Sequence, residues 1–261
     1  MLGNLLKKDL KKDMRWLWII FVVTIAFAGV SRGCRYLSES MAFFKILGIF
    51  FGSVYYSLAV NAVLQPFLRS FINFSKSFYG DEAYLTHTLP VTKNQLINSK
   101  FLTSIIEMVL GFICVVLSLF IMYYSPSMFT SLKAFLSLII SGNFSLFWAL
   151  TLMIILIIVE FLMFISIILF SIIIAYRKKE KRVLNTFLIT MGISFAAISV
   201  LSVFLVIVLL INGVELSSSI LVLPSKAFIS VILTGIIIYS LFITLFYLLA
   251  KKEFNKGVDV D

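Results

Sequence analysis

Long apolar runs broken by short polar punctuation set the architecture of this chain. Six segments, at 16–31, 41–64, 101–124, 144–176, 183–211 and 227–250, carry almost no charge. With their flanks they reach the roughly 18 residues that a helix needs to cross a bilayer core. Inside hydrocarbon every backbone amide and carbonyl must be satisfied within its own segment, so the pattern predicts an all-α, polytopic membrane protein with six transmembrane helices in one transmembrane domain, 1–261. The fourth and fifth segments are longer than a bilayer requires and should tilt or project into water. Residues 1–15 predict a separate amphipathic interfacial helix. Leu2, Leu5, Leu6 and Leu10 recur at helical spacing, and lysines occupy the other face. The second span holds Gly48 and Gly52, a small-xxx-small pair that lets another helix come close; packing within the chain is the favoured use.

The longest polar interruption, 80–100, lies between the second and third spans. The second helix is expected to run past the membrane to Tyr79 and stop at Gly80, since glycine enters the left-handed stop conformation without steric cost. Asp81 and Glu82 suit a helix N-terminus, and Pro90 prevents continuation beyond Leu89. Thr92 and Gln95 have the spacing of a capping box, so the third long helix should start there. The expected product is a short transverse helix between two long ones. Two other stretches resist simple assignment. Residues 125–142, opened by Pro126 and closed by Gly142, are short for a span and read as an interfacial or partly inserted helix. The loop 212–226 carries the apolar run Ile220 to Leu223 before Pro224.

Composition and charge sharpen this picture. A mean hydropathy of +1.11 and 13% charged residues fall far from a soluble domain, in which about 25% of residues are charged. Of 22 Lys and Arg residues, only Arg32, Arg35, Lys45, Lys133 and Lys226 fall on the outer side when the N-terminus is placed in the cytosol. The positive-inside rule therefore predicts both termini cytoplasmic. The net charge of +10 then answers to membrane lipid, an anionic inner leaflet, and nucleic acid is not an expected partner. No small-residue cleavage site follows the first apolar block, so no removable signal is expected. Cys34 and Cys114 lie in an outer loop and in mid-span, and should not meet.

Few residues could carry chemistry. Glu160 lies deep in the fourth span, where a carboxylate is expensive and faces a bundle interior or water. It is a pathway candidate, and a protonated, locally bonded glutamic acid is the competing reading. Glu107 in the third span and Asn61 in the second are further pathway candidates; pairing of Glu107 with a cytosolic lysine is the plainer expectation. His87 is the only histidine, and neither a nucleophile–base pair nor a metal-ligand set accompanies it. Catalysis by this chain is therefore not expected, nor a bound metal. No Gly-Lys dipeptide occurs, so a phosphate-binding Walker loop is absent.

The run Glu82-Ala83-Tyr84-Leu85-Thr86, then Thr88-Leu89-Pro90-Val91-Thr92 and Gln95-Leu96, placed just before the third span, resembles the cytosolic coupling region of bacterial type-2 ABC exporter permeases. The resemblance covers Gly80 to Lys100, and the six-span layout agrees with it along nearly the whole chain. It implies that Asp81, Glu82, Ala83, Tyr84, Leu85, Thr86, His87, Thr88, Leu89 and Pro90 form a coupling helix that seats in a groove of a separate ATP-binding cassette subunit. It further implies that ATP and magnesium sit on that partner, with no cofactor on this chain. A second permease subunit, identical or paralogous, would complete a dimer in the bacterial cell membrane. The N-terminal helix would lie beside the ATPase, and the cargo would be an amphipathic peptide or a hydrophobic small molecule. The rival reading is an ion- or proton-coupled secondary transporter using Glu160, although no internal repeat joins the two halves of the chain.

Overall fold

The computed structural model describes residues 2–38, 41–79, 92–124, 144–176, 182–214 and 225–256, together with residues 130, 133 and 137. Among these, six long helices carry the chain: α1 Leu2–Leu37, α2 Ala42–Tyr79, α3 Lys93–Tyr123, α4 Phe144–Ala175, α5 Arg182–Ile211 and α6 Ser225–Asn255. All six are long and apolar enough to span a membrane. Only 17% to 33% of their most apolar windows is buried, so most of that surface is turned outward. Phe43, Ile46, Phe50 and Phe195 are among the large side chains left exposed. Such a surface is costly in water and ordinary in lipid. The transverse helix expected at 81–90, the apolar run 220–223 and most of 125–142 lie outside the described residues.

The helices gather into two compact units, Met1–Ala134 and Phe135–Asp261. In the first, α1 packs on both α2 and α3, and α2 packs on α3. The expected separation of residues 1–15 from the first span does not occur. No glycine or proline interrupts 4–28, so α1 continues unbroken, and its early turns pack on the other two helices. The exposed lysines 7, 8, 11 and 12 stay outside, while Asp13 and Leu17 turn inward. Two apolar clusters hold the unit: Leu17, Phe21, Ala62 and Cys114 in one, Ala28, Tyr55, Ala59 and Met122 in the other. Tyr55 and Ser118 share a hydroxyl–hydroxyl bond of 3.1 Å between α2 and α3. Both cysteines are free.

Pro66 lies inside α2. Proline has no amide hydrogen, so the carbonyl of Ala62 one turn earlier loses its helical donor. Gly111 of α3 packs on that spot: a Cβ there would lie 2.8 Å from the Ala62 carbonyl oxygen. The glycine makes the close approach possible. Gly48 and Gly52 face Arg35 and Ser31 of α1, which is the use within the chain that their spacing suggests.

In the second unit α4 packs most extensively on α6, and α5 touches both. Met163, Ile167, Ala197, Leu201, Ile238 and Tyr239 form its core. α5 ends in a glycine stop. Gly213 adopts φ 69°, its amide donates to Leu210 at 3.0 Å, and the Val214 amide donates to Leu209 at 3.1 Å; this is the Schellman arrangement.

Candidate functional site

The segment that resembles a coupling helix leaves the described structure at Tyr79 and returns at Thr92, and both of its anchors are firmly built. On the leaving side, Phe74 and Phe78 are fully buried, with ring centroids 6.2 Å apart in a stacked arrangement. On the returning side the expected capping box is present. The Gln95 amide donates to Thr92 Oγ1 at 3.3 Å, and the Thr92 amide donates to Gln95 Oε1 at 3.1 Å. Leu96 and Ile97 are buried immediately after it. Asp81 to Pro90 themselves lie outside the described residues.

Beneath these anchors, where α1 starts, α2 finishes and α3 starts, polar side chains collect. Asp9 receives Lys100 Nζ at 2.7 Å and the Ser99 hydroxyl at 3.2 Å. One turn later on α1, Asp13 Oδ2 accepts from Asn73 Nδ2 of α2 at 2.5 Å. Asp13 Oδ1 and both carboxyl oxygens of Glu107, on α3, receive no hydrogen bond. Asp13 is 2% exposed and Glu107 1%. Arg69, whose guanidinium lies 5.5 Å from the centroid of the Trp16 ring, and Lys100 both act on Glu107 through space. The three helices of the first unit are thus tied by charge and amide contacts on one level.

The pathway candidates do not converge. Asn61 is exposed on α2. Glu107 is buried, and the expected pairing with a lysine is not made: neither of its oxygens receives a hydrogen bond, and Lys100 is held by Asp9. Glu160 lies in the second unit, half-buried on α4 and acting electrostatically on Tyr239 of α6. In the same unit a groove of about 340 Å³ is lined by Val200, Phe204, Ile237, Ile238, Leu241 and Phe242, with Thr234 as its polar side chain. Among the described residues no group of three or more His, Cys, Asp or Glu side chains gathers as a metal site.

Sequence reasoning passed over Asp9, Asp13, Asn73 and Arg69. One signal was available: Asp9, Asp13 and Leu17 recur at intervals of four, the spacing of one helix face. The surrounding lysines hid it, since a charged run reads as a solvated surface. Compared with known protein families, curated protein sequences and solved structures, the chain matches none of them.

Proposed function

We propose that this chain is the permease subunit of an ATP-driven exporter of the bacterial type-2 class. A separate ATP-binding cassette subunit would hydrolyse ATP with magnesium, and the segment 81–90 would carry its motion into α2 and α3. One observation carries the reading: a polar motif resembling a coupling helix is strung between two membrane-length helices whose facing ends are buried on one side and capped on the other. A short helix cannot hold its shape by propensity alone. Tyr84, Leu85, Thr88 and Leu89 share one helix face, which suits a groove on a soluble partner better than lipid, because Asp81, Glu82 and His87 surround that face. In this reading the protein works as a dimer with an identical or similar permease, sits in the bacterial cell membrane with both termini cytoplasmic, and moves an amphipathic peptide or a hydrophobic small molecule.

The test is co-expression with an ATP-binding cassette subunit. Tyr84→Ala combined with Leu85→Ala should abolish co-purification or separate ATP hydrolysis from transport, while membrane insertion survives. Association and cargo-dependent hydrolysis that both match wild type would remove the coupling role. The position of Glu160 favours one second reading, a proton-coupled carrier. Collapsing the proton gradient at constant ATP should leave transport intact if ATP drives it, and should stop transport if Glu160 does.

A further inference from the structure

We propose that Arg32 and Arg35, near the end of α1, bind the phosphate of an anionic glycerophospholipid whose acyl chain lies along α3. Three helices build the site, at the end of the first unit opposite the Asp9–Lys100 contact. The Arg32 guanidinium carbon lies 4.8 Å from the centroid of the Tyr124 ring, and that of Arg35 lies 5.4 Å from the centroid of the Tyr123 ring. Tyr123 is tied in turn to Tyr56 of α2 by a bond between their hydroxyls. Arg35 reaches this place across the glycine pair of α2. A Cβ on Gly48 would lie 3.5 Å from its Cγ, and one on Gly52 would lie 3.6 Å from its Nη2. The small pair thus gives an arginine stem its path between α1 and α2.

Two arginines three residues apart, on one helix face, call for a counter-charge. Among the described residues neither is paired with a carboxylate, in contrast to Lys100, which Asp9 holds. Both are exposed. The C-terminal dipoles of α1 and α3 offset about half a charge each, which leaves a surplus of about one positive charge. A cation–π contact steadies a guanidinium without giving its N–H groups an acceptor. The planar fork of those groups matches two oxygens of one phosphate, and a phosphodiester brings the single negative charge that is missing.

The surroundings select a lipid over a soluble phosphate. Tyr124 begins an exposed apolar stripe on α3 that runs back through Phe120, Val116 and Ile113, at the spacing of one helix face. The Phe120 and Tyr124 rings are 5.7 Å apart. From Ile113 to Tyr124 the helix rises about 16 Å, close to the depth of one leaflet in a bilayer whose core is about 30 Å thick. Tyrosines at the ends of membrane-length helices sit at headgroup level, which puts both guanidiniums where lipid phosphates are. A soluble phosphate would gain nothing from the stripe, and a zwitterionic headgroup would bring its own cation toward the arginines. Neither residues 80–100 nor the direction of insertion enters into this site.

The test is photo-crosslinking of the full chain in phosphatidylcholine nanodiscs. Phosphatidylglycerol carrying a diazirine in its acyl chain should label 113–120 about tenfold more than an equally dilute phosphatidylcholine with the same group, the advantage of one charge-assisted hydrogen bond. Diacylglycerol with the same chain and no phosphate should label no more than the phosphatidylcholine. Added glycerophosphate, the headgroup without chains, should leave the labelling unchanged. In Arg32→Gln combined with Arg35→Gln the preference should fall close to parity; the wild-type comparisons stand by themselves should that variant not fold. Phosphatidylglycerol that labels no better than either other lipid, a preference that survives in the folded variant, or displacement by glycerophosphate would overturn the proposal.

Discussion

At the scale of single residues, space around glycine separates tolerant from intolerant positions. A methyl group at Gly48 or Gly52 would meet its nearest neighbours at 3.5 Å, an ordinary contact. At Gly111 it would press on a backbone carbonyl at 2.8 Å, which cannot rotate away. Gly111→Ala should therefore destabilise the protein by about 1–3 kcal/mol, whereas Gly48→Ala and Gly52→Ala should stay within about 0.5 kcal/mol of wild type. Thermal unfolding in detergent compares the three directly. The Gly48–Gly52 pair was legible because its spacing is a local signal. Gly111 was not, because its importance comes from a proline on another helix. Asp13 and Asn73 were hidden for the same reason: each is legible as a polar residue, and only the fold makes them neighbours. Asp9→Ala should cost about 1.5–3 kcal/mol, since it leaves Lys100 largely buried without its acceptor. Asp9→Asn, which keeps an acceptor oxygen for Ser99 and Lys100, should cost less in the same assay.

At the scale of elements, the start of α3 was read more securely than the boundary expected within α1. The start of α3 after Thr92 depends on residues within one turn, so the sequence carries it in full. The boundary expected at residue 15 depended on a change of environment instead, and packing against α2 and α3 erased it. Thr92→Ala removes a side-chain acceptor from the first turn of α3. It should cost about 0.5–2 kcal/mol and speed hydrogen exchange of the amides at 93–96, with little change beyond Phe101. Mass spectrometry of exchange resolves that gradient. Exchange that speeds equally along the whole of α3 would mean that the cap supports the helix globally and not only its first turn.

At the scale of the whole molecule, hydropathy was enough to foresee six membrane-length helices, because apolar length is a property of the chain and not of its packing. The orientation rests on charge. Single cysteines replacing Ser38 and Lys226 should react with an impermeant reagent in intact cells, and one replacing Lys179 should not; the opposite pattern would invert the topology. Glu160→Gln should alter transport or its pH dependence with assembly preserved, and transport unchanged at every pH would end its candidacy for the pathway. What hydropathy could not foresee was the polar level under the anchors, since its members come from three helices and each is outnumbered by apolar neighbours.

Pro66 gives this architecture a mechanical asymmetry. With one rung of hydrogen bonding missing, α2 bends most cheaply around Ala62 to Pro66, and there Gly111 holds it against α3. Beyond that fulcrum lie the thirteen residues from Phe67 to Tyr79, an arm of roughly 20 Å at the helical rise of about 1.5 Å per residue. A tilt of about 10° at the fulcrum would swing Tyr79 through roughly 3 Å, given that arm length. The arm also bears Asn73, whose amide grips Asp13. Any push delivered at residue 80 is therefore applied at the long end of a lever, and the grip of α2 on α1 rides on it.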